Sequence, residues 1–500
     1  MSADQKPWDR LRGVGRERDG LDRAYSMLID GAWTRGDAEE TFQCVDPYTG
    51  APWGRVPQAG IAEVNRAVSA ARRAFDRDGW PQTSAAERAS LLKRLARGIE
   101  AHADELAYVQ IRENGKLVSE MRPQIDALVR ACEYFAGLAE TVGGRTVPLH
   151  GYTAYTVREP IGVVAAITPW NSPLLLLGWK LFPALAAGNT IVVKPSEITP
   201  VSTLRFAELV TEAGFPRGVV NVVTGHAKPT GVALVEHPAV DKIAFTGSTA
   251  AGKAIAHAAA ERCARVSLEL GGKSPNIVFA DASLGAAVDG IIAGIFAATG
   301  QTCVAGSRVL VERPIYDEVA ARLTARAREL APGDPLEWTT RLAPLASRPQ
   351  LEKVLSYFEV ARSERLELVA GGRRIERAGF FVEPTVYGGV RNDCRLAREE
   401  IFGPVAALIP FEGEDEAIAV ANETPFGLAA GIWTESLRRA HRVASRVRAG
   451  TVWINNYRQI AYAIPFGGFK QSGLGRELGP DALNEYTEVK SVWIDTSPGR

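Results

Sequence analysis

Between positions 61 and 75 the apolar residues Ile61, Val64, Val68, Ala71 and Phe75 recur every third or fourth position, the spacing of a single helical stripe. A second helix is predicted just after it. Ser84 and Glu87 have capping-box spacing ahead of Leu91, Leu92, Leu95 and Ile99, so each side chain can satisfy an orphan amide of the first turn. After Pro160 the texture changes to short β-branched runs, GVVAAI, TIVVK, VVNVV, DKIAFTG and RVSLEL, separated by stretches such as 201–213 and 250–262 that are long enough for crossover helices. Strand and helix in alternation predict a parallel sheet covered on both faces, with ligands at the C-terminal ends of its strands. From Gly271 a second α/β pattern begins, with SPNIVFA and SRVLVE as strands and an Arg-rich amphipathic helix over 316–330. The final YTEVKSVWI alternates as a strand should, and a lone terminal strand needs something to pair with, for which another subunit is the candidate.

Composition narrows this picture. A chain of 500 residues exceeds what one hydrophobic core organises, so two or three domains are expected. Lys plus Arg total 58 and Asp plus Glu total 58, which leaves no net field to draw nucleic acid, an anionic membrane or an acidic polymer; a small-molecule partner fits better. The five cysteines, Cys44, Cys132, Cys263, Cys303 and Cys394, are scattered, odd in number and free of C-x-x-C spacing. That argues against a disulfide framework or a zinc site, leaves no metal expected, and points to a reducing compartment, the cytoplasm. The first twenty residues mix both charges without an apolar core and read as a loose arm. The apolar run LLLLGWKLFPALAAG is broken by Lys180, Pro183 and Gly188, so no membrane span is predicted.

Several residues could carry chemistry. In GQTCVAGSR, small neighbours (Gly300, Thr302, Ala305, Gly306) let a substrate carbon approach the sulfur of Cys303, although a lone cysteine is more often a small buried hydrophobe. Glu269 in LELGGKSPN stands at a strand end before two glycines, where a carboxylate can swing and serve as a base; the plain alternative is a solvated strand-end charge. Asn171 in TPWNSP follows the GVVAAI strand and could donate an amide hydrogen into the crevice, or be ordinary turn chemistry. Lys194 and Glu197 in VVKPSE follow the next strand and alone read as surface charges. In AFTGSTAAG, Gly247 and Ser248 precede a helix whose free amides and positive end could face a phosphate, but the spacing is not G-x-G-x-x-G.

Together, TPWNSP, VVKPSE, FTGSTAAG, LELGGKSPN, GQTCVAGSR, EEIFGPV and PFGGFKQSGLGRE, in this order, closely resemble the NAD(P)-dependent aldehyde dehydrogenase superfamily, and the resemblance runs over nearly the whole chain from about Leu28. It implies an α/β fold with a parallel-sheet cofactor domain, an α/β catalytic domain and a small β oligomerisation arm. Its boundaries would be an N-terminal arm at 1–22, a cofactor domain at 23–140 and 159–270, a catalytic domain at 271–480, and the oligomerisation arm at 141–158 and 481–500. By the same resemblance Cys303 is the nucleophile, its amide and the Asn171 side chain form the oxyanion hole, and Glu269 activates the water that hydrolyses the thioester. Lys180 matches a helical lysine near the active site. Lys194 and Glu197 match positions that hold the adenosine ribose, Glu400 and Phe402 those at the nicotinamide ribose and ring, and Thr168, Trp170, Gly247 and Ser248 those lining the crevice and pyrophosphate side.

The resemblance further implies NAD, with NADP as the alternative, and a homodimer or homotetramer. Glu197 favours NAD because a 2′-phosphate would meet a carboxylate, while Lys194 could partly accommodate one. It supplies a substrate tunnel of Leu175, Leu176, Trp179, Thr302, Val304, Ile460 and Phe466, an apolar lining suited to a medium-sized hydrophobic or aromatic aldehyde. Arg458 is the exception, either a solvent-facing arginine stacked on Tyr457 or Tyr462, the favoured reading, or a grip for the distal carboxylate of a semialdehyde. Members that pass the acyl group to coenzyme A commonly lack the glutamate, so its presence favours hydrolysis over that runner-up. A catalytically silent binding relative would have lost the nucleophile, base or oxyanion motif, and all three are present.

Overall fold

The five β-branched runs after Pro160 form strands because they present Val, Ile and Phe to helices on both faces of a sheet. The computed structural model describes residues 25–37 and 40–497; the N-terminal arm read over 1–22 lies outside them. The first ten strands are β1 (Met27–Ile29), β2 (Ala32–Thr34), β3 (Thr41–Val45), β4 (Pro52–Pro57), β5 (Thr146–Leu149), β6 (Tyr152–Pro160), β7 (Val163–Ile167), β8 (Thr190–Lys194), β9 (Val220–Val222) and β10 (Lys242–Thr246). There follow β11 (Arg265–Glu269), β12 (Pro275–Val278), β13 (Arg308–Glu312), β14 (Glu367–Ala370), β15 (Thr385–Gly388), β16 (Val405–Phe411), β17 (Ala429–Trp433), β18 (Thr451–Ile454), β19 (Gly473–Leu474) and β20 (Thr487–Asp495).

Eight strands make one sheet in the order β19-β11-β10-β7-β8-β9-β1-β2, and seven make a second in the order β14-β15-β16-β13-β12-β17-β18. The central strands of both are parallel, as the alternation predicts, but three of the four edges are antiparallel: β1 and β2 fold back beside β9, β19 beside β11, and β14 beside β15, while β18 runs parallel to β17. These edge strands, and the β3–β4 hairpin, were not read from the sequence because they are short and mostly half-polar. The segment Gly473–Leu474 thus joins the first sheet, although the chain around it follows the second.

Register sets the position of the site. Ile167 lies beside Lys194 and Phe245, and Thr246 beside Glu269, so β7, β8, β10 and β11 end along one line of the first sheet. The loops that leave these ends carry Asn171, Glu197, Gly247 and Gly271. The helix Pro173–Ala187, which holds the apolar run, is buried almost all round against Ala85–Ala101 and Val118–Leu138. It is a core helix, and among the described residues no helix is long and apolar enough to cross a membrane. The capping box forms as read: Ser84 Oγ accepts from the Glu87 amide at 3.2 Å and Glu87 accepts from the Ser84 amide at 3.2 Å.

The last strand corrects one expectation. β20 pairs antiparallel with β6 of its own chain from Thr487 beside Pro160 to Asp495 beside Tyr152, in a three-stranded sheet ordered β20-β6-β5. The partner for the terminal strand is therefore intramolecular. What this sheet leaves exposed is a set of apolar side chains that includes Leu149, Tyr152, Val489 and Trp493.

Candidate active site

Cys303 sits in the crossover between the helix Leu284–Ile295 and β13. The approach to it is wound left-handed at Ala298 (φ 53), Thr299 (φ 53) and Gly300 (φ 70). A Cβ at Gly300 would lie 2.1 Å from the Gly403 carbonyl oxygen, so only glycine fits there. This turn delivers the thiol, partly buried, into a cavity of about 150 Å³ at the C-terminal ends of β10 and β11. Asn171, Leu176, Gly247, Glu269, Glu400 and Phe402 share that cavity with Cys303, and Trp170 and Ser248 also line it.

Glu269 is the unusual member. It is buried, yet neither carboxylate oxygen has a hydrogen-bond partner among the described residues. Burial, followed by the charge of Glu477, holds its carboxyl well above the usual range, and Lys180 and Arg476 oppose that. Lys180 and Glu477 form a buried ion pair behind it, and Lys180 Nζ also donates to Thr246 Oγ1 at 2.6 Å. Glu477 is held in place because it exchanges backbone hydrogen bonds with Phe466, at 2.6 and 2.8 Å.

Burial, then Glu269 and Glu400, push the Cys303 thiol up to about 12, while the Val304 amide and Lys116 pull it down. The acid and the thiol each disfavour the other's ionisation, so the first proton lost by the pair makes the second harder to remove. Asn171 donates one amide hydrogen to the Gln301 carbonyl at 3.2 Å, which fixes the side chain beside the nucleophile loop and leaves its second amide hydrogen without a partner among the described residues.

At the other wall Glu400 accepts from the Gly272 amide at 2.9 Å; burial raises its carboxyl, and Lys353 and Lys273 counter the rise. Phe402 meets Trp170 edge to face at 5.3 Å between ring centres. Gln350 Nε2 donates to the Phe402 carbonyl at 2.7 Å. Gln350 and Lys353 lie on one face of the helix Arg348–Ser363 and were not singled out from the sequence. Their spacing after the Ser347 cap is the signal that was there to find.

A family model for the aldehyde dehydrogenase family matches residues 33–492. The chain belongs to the aldehyde dehydrogenase family. Betaine aldehyde dehydrogenase of Bacillus subtilis is 42% identical over 95% of this chain and 98% of its own length. Retinal dehydrogenase 2 of Homo sapiens is 43% identical over 94% of this chain and 91% of its own. Among solved structures, an aldehyde dehydrogenase from Bacillus cereus in an NAD+ complex superposes with a TM-score of 0.94 at 44% identity, covering 99% of this chain and 100% of that one. The protein is therefore an aldehyde dehydrogenase, an enzyme with the α/β fold of that family.

Not every residue read from the sequence faces the cavity. Lys180 stands behind Glu269, and Thr168 is buried at the end of β7 with its hydroxyl unpartnered. Lys194 is buried, its ammonium donating to the Pro195 carbonyl at 3.1 Å, and Glu197 opens into a separate hollow with His226, Arg348 and Phe380. Of the tunnel residues, Leu176 reaches the cavity, and Trp179 and Phe466 pack ring to ring at 5.3 Å. Thr302 lines a small void beside Glu400, Leu175 and Val304 pack in the apolar core, and Ile460 is exposed. Arg458 corrects the favoured reading: its guanidinium donates to the Ala293 carbonyl at 3.1 Å instead of stacking on Tyr457 or Tyr462, because Tyr457 is turned inward to donate to the Val304 carbonyl.

Proposed function

We propose that the chain oxidises an aldehyde to its carboxylic acid with NAD, through a thioester on Cys303 that water activated by Glu269 hydrolyses. The observation that carries this reading is the buried, unpartnered carboxyl of Glu269 in the same cavity as the Cys303 thiol. A native fold rarely leaves both oxygens of a buried acid unsatisfied unless they have work to do.

The residues present fit NAD. The hydroxyl of Thr249, in the first turn of the helix Thr249–Ala260, is buried without a partner, and with Gly247 and Ser248 it offers donors at the positive end of that helix to a pyrophosphate. Glu400, Gln350 and Lys353 would hold the nicotinamide ribose, and Lys194 and Glu197 the adenosine ribose. When bound, NAD supplies the hydride acceptor. Cys303 attacks the carbonyl carbon as the thiolate, its proton having passed to solvent water; the Cys303 amide and Asn171 receive the oxyanion. Glu269 later takes a proton from the water that attacks the thioester. The Glu197 carboxylate favours NAD over NADP, read from kcat/KM for the two cofactors.

For the substrate we infer a hydrophobic or aromatic aldehyde, approaching past Leu175, Leu176, Trp179, Thr302, Val304, Ile460 and Phe466. The bond from Arg458 to Ala293 supports reading it as part of the mouth and not as a carboxylate grip. The exposed Leu149, Tyr152, Val489 and Trp493 on one small sheet support a homodimer or homotetramer, which light scattering measures. The five unpaired cysteines support the cytoplasm. The deciding experiment supplies a panel of aldehydes with NAD and identifies the product with and without coenzyme A. Free acid in both arms supports hydrolysis, and acyl-CoA would replace it with the coenzyme A-acylating reaction. Acid release from esters without NAD, and no aldehyde oxidation, would leave only an esterase.

A further inference from the structure

Asn114, Gly115 and Lys116 form the turn between the helices Ala103–Asn114 and Val118–Leu138, far in sequence from the catalytic loops. Gly115 has φ +75, and a Cβ there would lie 2.5 Å from Pro344 Cγ and 3.1 Å from Pro47 Cβ, so the turn is wedged against its neighbours. Asn114 and Lys116 are both buried. Asn114 accepts from the Lys116 amide at 3.0 Å and donates to the Trp170 carbonyl at 3.2 Å, while Lys116 Nζ donates to Ser172 Oγ at 3.0 Å. The two side chains therefore bracket Asn171. One turn on, Glu120 accepts from the Ala298 amide at 2.5 Å, in the left-handed approach to Cys303. The same short segment thus grips both loops that carry the chemistry.

Lys116 is the odd element of this brace. It is a buried ammonium with no carboxylate within ion-pair distance among the described residues, and its one side-chain hydrogen bond is to a neutral hydroxyl. Burying a cation this way is costly unless something nearby gains from it. The charged and titratable groups that face it are Glu120, Arg458 and Cys303.

We propose that Lys116 is a fixed positive charge serving the nucleophile, held by Ser172 behind Asn171 so that its field favours the Cys303 thiolate. It is a positioning and electrostatic residue, and it neither gives nor takes a proton. In the step it assists, which rests on the mechanism proposed above, the S–H bond of Cys303 breaks and its proton passes to solvent water. The S–C bond forms to the aldehyde carbon, and the carbonyl π pair moves onto oxygen. Glu269 and Glu400 oppose the thiolate from the other walls, and Lys116 is the side-chain charge that offsets them. Burial pulls Lys116 itself down to about 8, so its charge is present at pH 7 and is lost as pH rises through that value.

The test is alkylation of Cys303 by iodoacetamide in the enzyme without substrate, which needs no turnover and so stands or falls apart from the oxidation reaction; C303A identifies the labelled site. At pH 7, K116Q, which keeps a donor for Ser172 but no charge, should alkylate about tenfold more slowly, the effect of one unit in the thiol's pKa. K116R should stay within about threefold of wild type, since it keeps the charge. The wild type gives an independent readout that needs no variant. Its alkylation rate, rising with pH, should flatten near pH 8 as Lys116 loses its proton, then resume its climb. Wild-type alkylation in K116Q, or a rise through pH 8 with no inflection, would overturn the assignment.

Discussion

Two buried charged residues end opposite ways in this protein. Arg308, at the start of β13, is fully buried and donates to four acceptors: the Lys273 carbonyl at 2.9 Å, Asn392 Oδ1 at 3.0 Å, and the Val420 and Ala421 carbonyls at 2.8 Å each. Glu269, at the end of β11, is buried with no acceptor site used. A satisfied buried charge fixes geometry, whereas an unsatisfied one keeps free energy available for a reacting partner. Arg308 thus ties strands and helices of the second sheet together, and Glu269 waits at the edge of the first.

The comparison breaks at its functional end if the cleft chemistry is misassigned. Cys303→Ala should lower aldehyde oxidation by about 10⁴-fold or more, with little change in melting temperature, because a small side chain replaces a thiol bonded only weakly to the Val304 amide. Steady-state NADH formation and a thermal melt decide this together. At the structural end, Arg308→Met should cost about 3–5 kcal/mol in urea unfolding, since it strands several buried acceptors, yet leave the specific activity of the folded fraction near wild type. A loss of activity without a loss of stability would dissolve the distinction.

A smaller effect sharpens the account of Glu269. Glu477→Gln removes the negative charge that raises the Glu269 carboxyl and leaves Lys180 uncompensated, and both changes lower it. A base that must be ionised works above its pKa, so the acid limb of the pH–rate profile should move to lower pH by about one unit. Movement to higher pH would mean the limb belongs to another group. Smallest is Arg458→Ala: with its guanidinium bonded to Ala293, kcat/KM should fall less than about threefold for carboxylated and neutral aldehydes of equal length alike. A tenfold loss confined to the carboxylated aldehyde would restore the carboxylate grip.

Much of the first sheet was legible because its strands are buried on both faces and read as unbroken β-branched runs, and because parallel strands deliver their following loops to one edge. The edge strands were not, since a strand such as Ala32–Thr34 carries little apolar pattern of its own and exists because β1 is beside it. The site divides the same way. Asn171, Glu269 and Cys303 stand in short, glycine- or proline-marked motifs. Gln350, Lys353 and Lys116 sit on helices or in a helical turn where lysine and glutamine are ordinary, and only the tertiary fold brings them to the cavity or to its loops. The partner of the final strand is not legible in its own alternation for a related reason: β6 lies more than 300 residues earlier, as the pairing of Thr487 with Pro160 shows, and only the family resemblance, which groups 141–158 with 481–500, brings the two segments together.

The central claim is that Cys303 and Glu269 divide the reaction, one forming the thioester and the other releasing it. Rapid mixing of the Glu269→Gln variant with aldehyde and NAD tests it most directly. A near-stoichiometric burst of NADH followed by arrest, with an acyl group retained on Cys303 by mass spectrometry, is the result the account predicts. Steady turnover at the wild-type rate, with no acyl enzyme retained, would contradict it.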